Sequence, residues 1–170
     1  MSISNTFFRF ALAFSFFSAS FALLAEPTLE EVVVSARKVD ESVQDVPIAM
    51  SVFTSSDISD AGIERPEDFI ALTPNVVMAN TVNVGDTLVT IRGLTSTRDA
   101  ESNFAFVVDG VLQTNPNAFN RELLDIAQIE VLKGPQGALY GRNATSGAIL
   151  ITTKAPSEES ESTAVIGMGV

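Results

Sequence analysis

The chain has 170 residues, 46% of them hydrophobic, with 21 Asp and Glu against 10 Lys and Arg and a formal net charge of −11. That balance argues against nucleic acid and anionic lipid as partners, since both require cationic surface. Cysteine and histidine are both absent, which removes disulfides, the usual neutral-pH general base and the commonest zinc ligand, and leaves no nucleophile–base pair for an exported enzyme.

Residues 1–9 carry Arg9 and no acid, and Phe10 to Leu24 is a run of Phe, Ala, Leu and Ser. The run is about 15 residues long, short of the roughly 20 that a membrane-spanning helix needs. It predicts a signal peptide over 1–25, with an uncleaved anchor as the alternative. Cleavage after Ala25 takes the net charge from −11 to −12 by deleting Arg9. Residues 26–45 read as a charged, extended tail that holds one β-prone island, Val32-Val33-Val34.

Val46 to Thr54 has a strand pattern. Thr54 and Asp57 are spaced as a capping pair, which predicts a helix over Ser55 to Ala61 stopped by Gly62. Pro66 at a first helical position, followed by Glu67 and Asp68, starts a second helix through about Leu72, and Pro74 ends it. Strand runs follow at Val76 to Val82, Thr87 to Arg92 and Phe104 to Val111, with turn signals at Asn83 to Asp86, Asp109-Gly110 and Asn115-Pro116-Asn117. Arg121 to Gln128 predicts a helical turn leading into strand Ile129 to Leu132, and Ala148 to Thr153 is the last internal strand. After the hydrophilic Glu158 to Glu161, Thr163 to Val170 begins a further strand. The expected fold is a small α+β domain over 46–155 with a mixed, mostly four-stranded sheet and short helices. An extended tail precedes it, and residues 156–170 form a linker and the start of another element.

Between the last two strands, Gly134, Gly137, Gly141, Gly147 and Pro135 fall within fourteen residues. Such a loop either cradles a phosphate or packs tightly against another surface. No G-x-x-x-x-G-K-[ST] or G-x-G-x-x-G pattern occurs, and Lys133 precedes the glycines, so close packing is the better reading. Ser35-Ala36-Arg37-Lys38 matches S-x-x-K without its S-D-N and K-T-G partners. Asn143-Ala144-Thr145 is a glycosylation pattern inside a loop too tight for a glycan. Asp57, Asp60, Glu64, Glu67 and Asp68 read as a solvated face with helix-start charges. No ligand set for a metal or cofactor emerges. The segment LEEVVVSAR, Leu29 to Arg37, has two readings: a short edge strand, or a strand offered to the sheet edge of another protein.

Taken together, LEEVVVSAR after the signal peptide, QDVPIAMSVFT (Gln44 to Thr54), VTIRG (Val89 to Gly93), FVVDGV (Phe106 to Val111) and IEVLKGPQGALYGRNATSGAILITT (Ile129 to Thr153) resemble the N-terminal part of TonB-dependent outer-membrane receptors. The resemblance implies a plug domain seated inside a 22-stranded barrel in the outer membrane of a Gram-negative bacterium. It implies energised uptake of a scarce or bulky substrate, most often an iron–siderophore complex, with any iron carried by the ligand and no cofactor of the protein's own. Leu29, Glu30, Glu31, Val32, Val33, Val34, Ser35, Ala36 and Arg37 would be the TonB box, engaged by the C-terminal domain of TonB. Arg92 and Lys133 would latch the plug to barrel-wall carboxylates. Lys133 stands where the family usually has arginine, which keeps the charge but loses the bidentate fork. Arg98, Gln113, Asn115, Phe119 and Asn120 would lie on ligand-facing loops. A barrel requires several hundred further residues, so the expectation is a fragment of a full receptor. The alternative is a stand-alone periplasmic module that binds ligand or TonB without transport.

Overall fold

Four strands of this chain are mostly apolar, and Phe104 to Val108 is apolar at every position, as strands covered on both faces are. In the computed structural model, which describes residues 31–36, 38–39, 41–80, 87–96 and 101–156, these strands form the centre of the molecule. The chain divides into two compact units, residues 1–31 and 32–170. The first, apart from Glu31, lies outside the described residues, so the signal-peptide expectation is not addressed. The same holds for the strand expected from Thr163.

The central sheet runs β3 (Met50–Thr54), β9 (Ile126–Lys133), β10 (Gly147–Thr153), β7 (Phe104–Val108) and β8 (Val111–Leu112). β10 pairs antiparallel with β9 and parallel with β7, so the sheet is mixed. Its four long strands match the expected four, and the two-residue β8 adds an edge. A three-stranded sheet, β4 (Val76–Asn80), β5 (Thr87–Ile91) and β6 (Leu94–Thr95), lies apart, as does a small pair, β1 (Val33–Val34) with β2 (Glu41–Ser42).

Side chains alternate between the two faces of the central sheet. Phe104, Phe106, Ile129, Val131, Ile149 and Ile151 enter one core; Ala105, Val107, Leu132, Ala148 and Leu150 enter the other. The first core is aromatic and is closed by two helices, by β4 and β5, and by a 3₁₀ turn at Pro116–Asn120. Helix α1 (Ser55–Ala61) starts at the expected capping box, in which Asp57 Oδ2 accepts from the Thr54 N–H at 2.8 Å, and ends at Gly62 in the left-handed region. Helix α2 (Pro66–Ala71) starts at Pro66 and places Phe69 and Ile70 in the core.

Three sequence expectations need correction. Residues 121–125 form no helical turn: the Leu123 N–H is drawn to the Glu64 carbonyl and Asp125 adopts φ 51°, which breaks helical continuity. Strand β9 therefore begins at Ile126, three residues early, where Ile126 pairs with Thr153. The glycine loop is also less irregular than its composition suggests. It contains a single helical turn, α3 (Gly137–Tyr140). Within β10, Gly147 has a steric reason: a β-carbon there would collide with the Leu132 carbonyl oxygen and press on Ile91.

Candidate functional site

The described part of the tail lies against the second, alanine-rich core. Val34 and Ala36 are fully buried, 1% and 0% exposed, among Ala105, Val107, Leu132, Ala144, Ala148 and Leu150. Val33, on the opposite side of the same strand, remains 47% exposed. Glu31 and Ser35 are exposed, and Val32 is half-buried. Leu29, Glu30 and Arg37 lie outside the described residues. A tail expected to be extended is thus packed over Val32 to Ala36, anchored on one face by Val34 and Ala36.

Besides the pairing of β1 with β2, its main chain is held by side chains. Gln128 Nε2 donates to the Val33 carbonyl at 3.0 Å, the Ser35 N–H donates to Glu130 Oε1 at 3.0 Å, and the Tyr140 hydroxyl donates to the Ala36 carbonyl at 2.9 Å. The Val43 N–H adds a bond to the Val32 carbonyl at 3.1 Å. Burial, and then the charge of Glu130, push the Tyr140 hydroxyl up to about 12. It therefore remains a donor at any physiological pH. Lys38 Nζ sits 5.7 Å from the Tyr140 ring centroid. A cavity of about 490 Å³ runs beside the tail, lined by Ser35, Lys38, Asp109, Leu112, Leu139 and Tyr140 among others, so the tail leaves part of its groove open.

Sequence reading missed Gln128, Glu130 and Tyr140. One signal was available: Glu130 is an acid amid the apolar run IEVL, where burial demands a partner.

The second site is a pair of cations. Arg92 and Gly93 form the two-residue turn between β5 and β6, with φ of 49° and 82°. Positive φ at both positions is the type I′ geometry that normally selects Asn or Gly. An arginine there is accommodated against local preference. Gly134 takes φ 116°, a conformation that favours glycine, and Arg92 Nη1 lies 3.3 Å from where a β-carbon there would sit. Lys133 Nζ contacts Ser51 Oγ at 3.0 Å and the Pro74 carbonyl at 3.5 Å. Its pKa is lowered first by burial and then by the charge of Arg92. Among the described residues, neither cation forms an ion pair with a carboxylate; the two such pairs are Arg65–Glu122 and Arg142–Glu101.

The residues expected on ligand-facing loops separate. Phe119 belongs to the aromatic core instead: it is 5% exposed, with Phe69, Phe104 and Phe106 set edge-on around it. The 3₁₀ turn reverses the chain and brings its ring inward. Gln113 is half-buried and donates from Nε2 to the Val111 carbonyl; Asn115 and Asn120 are exposed, and Asn120 Oδ1 accepts from Thr87 Oγ1 at 2.7 Å. Arg98 lies outside the described residues.

Residues 42–148 match the sequence model of the family described as TonB-dependent Receptor Plug Domain. The chain is 31% identical over 132 residues to the pesticin receptor of Yersinia enterocolitica, covering 77% of this chain and 19% of that protein. It is 30% identical over 156 residues to the iron-regulated outer membrane virulence protein of Vibrio cholerae, covering 84% and 23%. Among solved structures, the ferric yersiniabactin uptake receptor FyuA of Yersinia pestis superposes with a TM-score of 0.60 at 30% identity, over 66% of this chain and 18% of that one. The chain spans about a fifth of the length of these relatives. They are receptors of the Gram-negative outer membrane rather than enzymes. By its motifs, its mixed sheet and these matches, the chain belongs to the TonB-dependent receptor family, of which it carries the plug domain.

Proposed function

We propose that this plug gates an outer-membrane receptor for ferric siderophore complexes. Residues 29–37 would be engaged by the C-terminal domain of TonB, and Arg92 with Lys133 would latch the plug to carboxylates of a barrel wall. The observation that carries the substrate class is the 30% identity with a ferric yersiniabactin uptake receptor. Energetics supports the coupling. The outer membrane has no energised ion gradient of its own, so release of a tightly bound ligand requires work delivered from elsewhere. A tail that offers its main chain to a partner's sheet edge is a suitable handle. Its one-sided anchoring, with Val33 outward and Val34 inward, leaves it removable. Two close cations without carboxylate partners among the described residues suit an external acidic surface. Gln113, Asn115, Asn120 and Arg98 remain candidate ligand-side groups; Phe119 does not.

The test is genetic. Deleting the gene in its host should abolish growth on at least one ferric siderophore under iron limitation. A restored wild-type copy should rescue growth, and a Val33→Pro copy, lacking one tail N–H, should not. Unchanged growth across a siderophore panel would overturn the substrate class.

A further inference from the structure

The cavity of about 490 Å³ beside the tail is enclosed by the turn at Ser35 to Lys38, by β7 and β8 with the turn between them, by β10 and by helix α3. Its volume lies within the range of small-molecule sites. Its lining is largely aliphatic: Val107 and Leu150 are buried, and Leu112 and Leu139 are half-buried. A carbon chain laid along these side chains would be removed from water.

The polar groups of the lining are not equally available. Both carboxylate oxygens of Asp109 accept from Thr153, Oδ1 from its N–H at 2.8 Å and Oδ2 from its hydroxyl at 2.9 Å. The Tyr140 hydroxyl is committed to the Ala36 carbonyl. Lys38 differs. Among the described residues its ammonium has no carboxylate partner, and it sits over the Tyr140 ring. Its backbone is unusual as well. Lys38 takes φ 61°, a left-handed conformation that lysine adopts against preference, and its N–H donates to the Ser35 carbonyl at 2.8 Å. This turn sets a cation beside a ring that itself lines the cavity.

We propose that the cavity binds a single amphipathic carboxylate, an acyl or aryl acid whose head meets Lys38 and whose apolar body lies along Leu112, Leu139 and Leu150. Charge complementarity selects the head, because Lys38 is the cation of the lining and the Asp109 oxygens are already engaged. A membrane surface is a poorer occupant: the net charge of −11 repels anionic headgroups, and a concave seat takes one molecule at a time. The proposal rests on this lining and not on the uptake reading above.

Octanoate, with octanol as its uncharged analogue, tests the site in the full 170-residue chain. Tyr140 is the chain's single tyrosine and tryptophan is absent, so tyrosine emission reads the cavity wall directly. Octanoate should change that emission saturably, with a dissociation constant in the millimolar range or below. Lys38→Gln should weaken octanoate by about three- to fivefold, the upper end for an exposed ion pair, and leave octanol unchanged. Lys38→Arg, which keeps the charge, should retain octanoate binding. Leu112→Gln places a polar group in the lining from the edge strand and should weaken both ligands alike.

A response that never saturates, the same in the wild type and in Lys38→Gln, marks non-specific adsorption and overturns the site. Octanoate binding that Lys38→Gln leaves unchanged, or weakens no more than it weakens octanol, overturns the choice of a carboxylate. Full octanoate affinity in Leu112→Gln overturns the seat along the leucines. None of these outcomes bears on siderophore uptake, whose failure would show in growth instead.

Discussion

The two faces of strand β9 are packed to opposite ends. On one, Ile129 and Val131 meet a cluster of four phenylalanines, Phe69, Phe104, Phe106 and Phe119, closed by helices and a second sheet. On the other, Glu130 and Leu132 meet alanines and the tail, with an open cavity alongside. Aromatic rings bury large areas and interlock, so the first face gives the domain its rigidity. Alanines offer little area per residue, so a tail resting on them through Val34 and Ala36 can leave at small cost. Under the proposed function, such a division would let the plug stay folded while its tail is engaged.

Truncating each face in turn should break the comparison if it is wrong. Phe119→Ala removes the ring at the centre of the aromatic cluster and should cost about 3–5 kcal/mol in chemical denaturation. A loss under about 1 kcal/mol would mean that this face is not sealed. Val34→Ala removes two methyl groups on the tail face and should weaken tail docking by about 1.5 kcal/mol. Its effect should be local: exchange at Ser35 rises while the denaturation midpoint stays put. A drop in the midpoint comparable with that of Phe119→Ala would make the tail part of the folding core.

A smaller effect sharpens the tail face. Tyr140 is the chain's single tyrosine and tryptophan is absent, so tyrosinate absorbance reports on it alone. Its hydroxyl is raised to about 12 from an ordinary 10.0 by burial and by Glu130. Folding thus favours the protonated donor. That contribution is complete below pH 10.0 and is lost as pH rises from 10.0 through about 12. Absorbance should titrate near 12 in the native chain and shift toward 10.0 in Val34→Ala, where the tail leaves more often. A native midpoint at 10.0 would contradict a buried clamp.

Local signals made much of the fold legible. Thr54 with Asp57, Gly62 and Pro66 mark helix ends whose chemistry is contained within one turn, and Asp109-Gly110 marks a type I′ turn by residue type alone. What escaped depends on distant partners. Nothing near Phe119 says that Phe69 and Phe106 will surround it, so the resemblance alone places it on a ligand-facing loop. Arg121 to Asp125 carries helix-compatible residues, yet the Glu64 carbonyl decides its path. At the tail, the β-prone valines were visible, but the groups that hold them, Glu130 and Tyr140, are separated from the tail by about a hundred residues in sequence. Arg92 and Lys133 were singled out by their motifs, and their proximity follows from the turn at Arg92 and the end of β9.

The central claim is that the tail, and not some other exposed edge, is the handle for TonB. Because the chain lacks cysteine, a single introduced thiol is unambiguous. Val33 on β1 and Val111 on β8 are both exposed edge-strand valines, at 47% and 62%. Val33→Cys and Val111→Cys should be compared for disulfide formation with a TonB C-terminal domain that carries one cysteine on its edge strand. Cross-linking at position 33 with none at position 111 is the predicted result. Equal cross-linking at the two sites, or cross-linking at 111 alone, would contradict it.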